Sequence, residues 1–163
     1  MFRAFDAMLL GDLTEQAKAS PRRRQHRNIH GSYQEQVQRF FNAIEPGSYI
    51  RPHRHSRDPR DELVVAIRGE MALVTFDDDG VISKIVRFGT EKHGHDIAVG
   101  AEVWCSTWHT VVALEPGCVL LEVKAGPFDP CCPKDFAPWA PEVGTHEAEV
   151  YVAELTARAA ASL

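Results

Sequence analysis

Short apolar segments separated by turn residues occupy the middle of the chain, from Val37 to about Lys124. These segments alternate apolar and polar positions or are rich in Val, Ile, Leu and Phe, which is typical of β-strands. The pattern predicts strands at Val37–Ile44, Tyr49–His55, Leu63–Arg68, Met71–Phe76, Val81–Phe88, Val103–Trp104, Trp108–Leu114 and Val119–Lys124. Gly69-Glu70 is short enough to form a hairpin turn between two of them. So many short strands predict an all-β sandwich or small barrel.

Helical patterns lie at both ends of the chain. Apolar residues at helical spacing predict a helix over Leu9–Ala19, which Ser20-Pro21 ends. An irregular basic segment follows and continues to about Gln34. After the strands and a proline-rich stretch, an Ala- and Glu-rich tail predicts a second helix over His146–Ala161. We therefore divide one domain into a helix and arm (1–35), a β-barrel with a proline-rich end (36–142) and a helical tail (143–163).

The composition limits the classes of partner. The 163 residues carry a net charge of −5, which makes a broad nucleic-acid surface unfavourable. The basic run Arg22-Arg23-Arg24 could be a local anion site or a solvated loop. No segment approaches the roughly 20 apolar residues of a membrane span, and the N-terminus lacks a signal cleavage site. We therefore expect a cytoplasmic protein whose four cysteines are reduced thiols.

Two histidines one residue apart, His53 and His55, carry the strongest chemical signal. On an extended strand such residues point to the same face, so both imidazoles can bind one metal ion. Glu62 follows at the start of the next predicted strand, and His109 lies on a distant one. Three imidazoles and one carboxylate form a mixed nitrogen and oxygen shell that suits a divalent first-row metal. The sequence therefore predicts a metal site.

These residues resemble the first cupin motif, in which Gly, five residues, His-x-His, a short gap, Glu, six residues and Gly follow one another. Gly47, the two histidines, Glu62 and Gly69 occupy these places. The gap between His55 and Glu62 holds six residues, where three or four are usual. In the second cupin motif the histidine is present as His109, whereas the usual proline, glycine and asparagine are replaced by Trp104, Ser106 and Ala113.

The chain is more specifically similar to the small WbuC-type cupin metalloproteins. The segments that carry this similarity are Ala19–Arg22, Ser48–His55, Trp108–Val111, Leu114–Gly117, Glu122–Pro127 and Phe136–Glu142. The resemblance implies a single-domain cupin, a jelly-roll-like double-stranded β-barrel with short N- and C-terminal helices. It also implies an association with O-antigen biosynthesis. That family is defined by its fold and metal site rather than by an established reaction.

A shell of His53, His55, Glu62 and His109 leaves coordination positions open on a five- or six-coordinate ion. Fe, Mn, Ni or Zn would suit it, and water, dioxygen or a bidentate substrate could bind there. The first functional hypothesis is an isomerase, hydrolase or oxygenase that acts on a small polar molecule, sugar-linked or carboxylated. The alternative is a non-catalytic binding or regulatory module with a structural metal.

Three further residues are candidates for catalysis. Alternation from His53 places Arg51 and Tyr49 on the same inward face, where Arg51 could bind a substrate carboxylate or phosphate, or form a structural salt bridge. Glu122 interrupts an apolar run, so its carboxylate needs a partner. It could be a general base near the metal, or pair with Lys124 or Arg68.

Several other side chains are weaker candidates for the site. They are Arg39, Asn28, His30, the pair His93 and His95, and the aromatics Trp104, Trp108 and Trp139. Asn28 and His30 could close over the barrel mouth, and the second histidine pair could belong to a lid or a surface loop. Both faces of Leu63–Ile67 are apolar, which suits packing between sheets or against a second subunit. We therefore expect a homodimer that binds a small polar or anionic ligand, without nucleic acid or membrane.

Overall fold

The described residues form ten strands and two α-helices, and the bounds of these elements follow the turn and cap residues of the sequence. A computed structural model describes residues 1–56, 59–131 and 134–162. The helices are α1 (Ala7–Ala19) and α2 (His146–Ala161). The strands are β1 (Arg24–Asn28), β2 (Val37–Ile44), β3 (His53–Arg54), β4 (Glu62–Arg68), β5 (Glu70–Phe76), β6 (Ile82–Gly89), β7 (Gly100–Val103), β8 (Trp108–Ala113), β9 (Cys118–Ala125) and β10 (Asp135–Phe136).

The strands form two five-stranded antiparallel sheets. Sheet A has the order β1-β2-β9-β4-β7, and sheet B has the order β10-β3-β8-β5-β6. This arrangement confirms the predicted fold class, a mainly β, jelly-roll-like fold with a helix at each end. Within the described residues the strands make two separate sheets rather than one closed barrel.

Three apolar clusters hold these layers together. The inner faces of the two sheets meet around Ile44, Met71, Phe88, Val111 and Leu120. Helix α1 covers part of the outer face of sheet A, where Leu13 and Ala17 pack against β2 and β9. Helix α2 covers the outer face of sheet B through Val152, Leu155 and other small or branched side chains. The inter-sheet space is therefore apolar toward one end and open to polar groups toward the other.

Both helices begin at capping residues. The Asp6 side chain accepts a hydrogen bond from the Leu9 backbone N–H, and the Thr145 side chain accepts one from Ala148. The first helix ends at Ser20 and the following proline, as predicted, although it begins two residues earlier than the apolar spacing indicated. The second helix has the predicted bounds. No helix in the described ranges is long and apolar enough to cross a membrane.

The segment predicted to be irregular contains strand β1, and this prediction was wrong. β1 pairs along its whole length with β2, from Arg24 opposite Ile44 to Asn28 opposite Phe40. Its inward positions are polar, so it lacks the apolar alternation by which a strand is recognised. The predicted strand Tyr49–His55 is also shorter, since only His53–Arg54 is paired. Pro52 lacks the N–H that a ladder needs there.

The predicted hairpin at Gly69-Glu70 was wrong as well. β4 pairs with β7 and β9, whereas β5 pairs with β6 and β8, so the chain crosses from sheet A to sheet B at Gly69. Gly69 has a φ of +80°, and a Cβ there would lie 2.6 Å from the Cys118 Sγ. Glycine is required both for the backbone conformation and for the close approach.

Replacing Gly69 with alanine tests this crossing. We expect Gly69→Ala to lower the free energy of unfolding by about 3 kcal/mol, because left-handed strain and steric overlap with Cys118 add together. Gly117→Ala is the matched control, since Gly117 has a φ of +74° and nothing within 4 Å of its Cβ position. It should cost about 1 kcal/mol. Urea denaturation measures both values, and equal losses would contradict the steric argument.

Candidate metal centre

Three strands bring the four predicted metal ligands together between the sheets. His53 on β3 lies directly opposite His109 on β8. Glu62 opens β4 in the facing sheet, with its side chain on the inner face. His55 follows β3, where its backbone N–H donates to the Cys105 carbonyl at 2.7 Å. All four side chains are buried.

The potential ligand atoms of these four residues all lie within 4.8 Å of one another. The Nδ1 of His53 is 2.9 Å from the Arg51 carbonyl, and the Nδ1 of His109 is 2.8 Å from the Thr107 carbonyl. A carbonyl can only accept, so each Nδ1 carries the proton and each Nε2 lone pair faces the cluster. The three imidazoles and the carboxylate could hold one metal ion.

The His55 Nε2 supports this fit. It is 3.0 Å from the Glu62 Oε1, yet it is fully buried and has no hydrogen bond of acceptable geometry. Buried polar atoms are nearly always hydrogen-bonded in native proteins. A metal ion between the imidazole and the carboxylate would satisfy both atoms, and the nitrogen and oxygen donor set is suited to it.

The charges around the cluster favour the protonation states that a metal needs. Burial, then the charge of Lys134, holds the pKa of His53 well below its usual value. Burial also lowers the pKa of His55. Burial alone would raise the pKa of Glu62, but contacts with His109 and His55 and the nearby lysine charges hold it well below its usual value. The imidazoles of His53 and His55 are therefore neutral and the Glu62 carboxylate is ionised near neutral pH.

Two lysines complete the immediate surroundings of the cluster, and neither was predicted from the sequence to lie at the metal site. The Lys134 Nζ is 2.9 Å from the His53 Nε2, and the Lys124 Nζ donates to the Glu62 Oε1 at 3.0 Å. Lys124 could have been found, because it lies two residues from Glu122 on the same face of β9. Lys134 lies next to β10, far from any motif, and no local signal marks it.

The cluster borders a cavity of about 400 Å³ between the sheets. Glu122 lines this cavity from β9 and is buried. Burial, followed by the charge of Glu62, raises the pKa of Glu122 to about 8. The Lys124 Nζ lies 3.8 Å from the Glu122 Oε1. Glu122 therefore pairs with Lys124 and also lies beside the candidate metal ligands.

The two other catalytic candidates lie in different places. Arg51 lines the cavity, but its Nη1 is 2.7 Å from the Glu142 Oε1 and its Nη2 donates to the Ala137 carbonyl. Tyr49 is not brought to the cavity. Its hydroxyl donates to the Pro141 carbonyl at 2.9 Å, and its ring contacts Tyr151 of α2. The backbone before Pro52 is not a strand, so alternation from His53 does not extend to Tyr49.

The weaker candidates divide in the same way. Asn28 and His30 both line the cavity. Arg39 pairs with Glu35 at 2.5 Å. The second histidine pair lies outside the cluster, with the His93 Nε2 2.9 Å from the Glu115 Oε1.

The tryptophans and cysteines do not build the centre. Trp108 and Trp139 pack in the cluster beneath α2, and Trp104 is 69% exposed. Cys105, Cys118 and Cys131 form no disulfide within the described residues. Cys132, the remaining cysteine, lies outside the described residues.

The chain belongs to the family described as Domain of unknown function (DUF6016), which matches residues 5–88, slightly more than half of the sequence. No curated protein matches the chain. The fold is cupin-like, and the buried histidine and glutamate cluster could hold one metal ion.

Solved structures resemble the fold at low identity. The conserved protein SPY1581 of unknown function from Streptococcus pyogenes is 12% identical, with 79% of this chain and 91% of that chain covered and a TM-score of 0.51. Bacillus subtilis oxalate decarboxylase, which has Mn(II) centres, is 16% identical over 69% of this chain, with a TM-score of 0.50. The match spans only 27% of that decarboxylase chain. An RmlC-like cupin from Desulfovibrio desulfuricans is 19% identical over 64% of this chain and 82% of that one, with a TM-score of 0.46. These likenesses concern the fold alone.

Removal of the first histidine pair tests the metal centre. We expect His53→Ala with His55→Ala to leave less than about one tenth of an equivalent of metal after reconstitution, because two of four ligands are lost. The matched control is His93→Ala with His95→Ala, which removes a pair of the same spacing outside the cluster. Elemental analysis of both double variants gives the comparison. Equal metal loss in the two would show that ions bind nonspecifically to surface histidines.

Proposed function

We propose that this protein is a divalent-metal-dependent enzyme that moves a proton on a small carboxylated molecule held between the sheets. One observation carries the proposal. The histidine and glutamate cluster borders a ligand-sized cavity that is also lined by Glu122, Arg51, Lys124 and Lys134. Metal ligands, an acid and several cations that line one cavity are the usual components of a site for an anionic substrate.

The residues around the cavity would have distinct roles in this reaction. His53, His55, Glu62 and His109 would hold the metal, which would supply Lewis-acid polarisation of a substrate oxygen. Lys124 and Lys134 place positive charge beside the cluster, where a substrate carboxylate would be neutralised. Arg51 faces the same cavity and is held in place by Glu142.

Glu122 is the group positioned to transfer the proton. Its carboxyl is buried beside the metal ligands, and a buried carboxyl favours the protonated form. Such a group can give a proton to a substrate carbon or oxygen and take one back near neutral pH. Lys124, 3.8 Å away, would stabilise the ionised state after the proton leaves.

A non-catalytic binding or regulatory module is the second candidate. Lys134 contacts the His53 Nε2 and Lys124 contacts Glu62, so the chain's own cations partly satisfy the cluster. Membership of the WbuC-type subfamily, a link to O-antigen biosynthesis and a cytoplasmic location belong to the proposal as well. Their support is the set of shared sequence segments and the free thiols.

Solvent exchange measures the proposed proton transfer. We expect the metal-loaded protein to exchange the hydrogen α to the carboxylate of a sugar acid for deuterium in D₂O, followed by NMR. Glu122→Gln should slow this exchange by at least about 100-fold at unchanged metal content. A panel of sugar acids with Fe, Mn, Ni or Zn protein covers the expected metals. Absence of exchange throughout the panel, or unchanged exchange in Glu122→Gln, would favour the binding module.

We also propose a homodimer formed through the outer face of sheet A. Helix α1 covers β1, β2 and β9 on this face, while Leu63 on β4 and Trp104 after β7 are 41% and 69% exposed. Leu63 lies opposite Glu102 of the edge strand β7, and Trp104 directly follows that strand. A second copy could cover these apolar side chains.

Sedimentation equilibrium tests the dimer. We expect a species of twice the 18.2 kDa chain mass, and Leu63→Lys should weaken the association by at least about tenfold because it places a charge in the contact. Val81→Lys is the matched control, since Val81 is an exposed valine on a turn elsewhere. A wild-type protein that is monomeric at about 100 μM would contradict the proposed dimer.

A further inference from the structure

Strand β1 contributes further polar side chains to the cavity. Alternate residues of this strand, Arg24, His26 and Asn28, line the same cavity as the metal cluster. In the antiparallel register, Arg24 lies opposite Ile44 and His26 lies opposite Asn42, which also lines the cavity. Arg24 and Asn42 are therefore diagonal neighbours on one face of sheet A, within reach of a common ligand.

Arg24 is a half-buried cation without an acidic partner in the described residues. Its Nη1 donates to the Tyr49 carbonyl at 2.8 Å and also lies 3.4 Å from the Ser48 Oγ. By contrast, each of Arg39, Arg51 and Arg87 contacts a carboxylate at 2.5–2.7 Å. Burial, together with the charge of Arg22, lowers the pKa of Arg24 to about 10. An uncompensated buried charge is unfavourable unless an anion binds to it.

Two deeply buried polar atoms of the cavity lining have no hydrogen-bond partner either. The side chains of Asn42 and His30 are 5% and 7% exposed, and the Asn42 Oδ1 and the His30 Nε2 are unpartnered. The Nδ1 of His30 is engaged by the Arg39 backbone, which leaves Nε2 for a ligand. An amide oxygen accepts hydrogen bonds, so a ligand hydroxyl is the group that would satisfy Asn42.

We infer that Arg24 and Asn42 form a subsite for an acidic group and an adjacent hydroxyl of the ligand, on the side of the cavity formed by β1 and β2. The ligand is then an elongated, hydroxylated molecule with a terminal phosphate or carboxylate. The inference rests on the proposed function only in assigning the ligand's other end to the metal centre.

The dimensions agree with such a ligand. Arg24 is anchored at Tyr49, four residues before His53 in the chain. Four residues of extended backbone span at most about 14 Å. A single small molecule can therefore contact both Arg24 and the metal cluster. Arg22, which is exposed and also lines the cavity, adds further positive charge that would attract an anion.

Calorimetric titration of the full-length, metal-loaded protein with three probes tests the subsite. The probes are glucose 6-phosphate, glucuronate and uncharged glucose. We expect at least one acid to bind at least about tenfold more tightly than glucose, and the stronger of the two identifies the acidic group as phosphate or carboxylate. If neither acid binds more tightly than glucose, the subsite is overturned.

Substitutions locate the binding on β1. Arg24→Gln, which can still donate to the Tyr49 carbonyl, should weaken the acid at least about tenfold. Asn42→Asp keeps the side-chain shape and adds a repelling charge, so it should act similarly if Arg24→Gln fails to fold. Arg27→Gln makes the same charge change on the opposite face of β1 and should alter affinity less than about twofold. Unchanged acid affinity in Asn42→Asp, or equal losses in Arg24→Gln and Arg27→Gln, would overturn the subsite.

The proposed function can fail separately. If hydrogen exchange is absent while acid binding depends on Arg24, the subsite stands and the proton-transfer proposal falls. If hydrogen exchange is observed but Arg24→Gln leaves the acid affinity unchanged, the proton-transfer proposal stands and the subsite falls.

Discussion

The buried carboxylate of Glu62 is the constraint on which the rest of the site depends. An ionised carboxylate between two β-sheets is strongly unfavourable unless it is surrounded by partners. Two imidazoles and the Lys124 ammonium lie within 3.5 Å of its oxygens. Those partners come from β8, β9 and the segment after β3, so satisfying one charge requires both sheets to face each other in a single register.

The same requirement explains the shape of the cavity. The inter-sheet space is filled by apolar side chains such as Phe88 and Met71 at one end. At the other end the carboxylate and its partners border a cavity. Its lining combines apolar side chains such as Leu73 and Val111 with polar side chains that extend to β1. The Glu62 carboxylate gathers the candidate metal ligands between the sheets, and the cavity beside them has space for a ligand. Metal site and ligand cavity are therefore two consequences of one buried charge.

Much of this could be predicted from the sequence because the evidence is local. Alternating apolar residues located most strands, and the spacing of His53, His55 and Glu62 located three of the ligands. The exceptions have physical causes. β1 was missed because its inward residues are polar and line the cavity, so the strand lacks the apolar alternation of a core strand. Gly69 was assigned to a hairpin because sequence does not reveal which sheet receives the next strand. Lys134 reaches His53 from 81 residues away, a separation at which no spacing rule applies.

The most direct test of a single metal ion held by this cluster is X-ray absorption spectroscopy of protein loaded with one equivalent of manganese or zinc. The account predicts a shell of nitrogen and oxygen ligands at about 2.0–2.2 Å with the multiple scattering of three imidazoles. The imidazole scattering should fall by about one third in His109→Ala, which lacks one of the three rings. A shell containing sulfur, or one without imidazole scattering, would show that the metal binds elsewhere and would contradict the account.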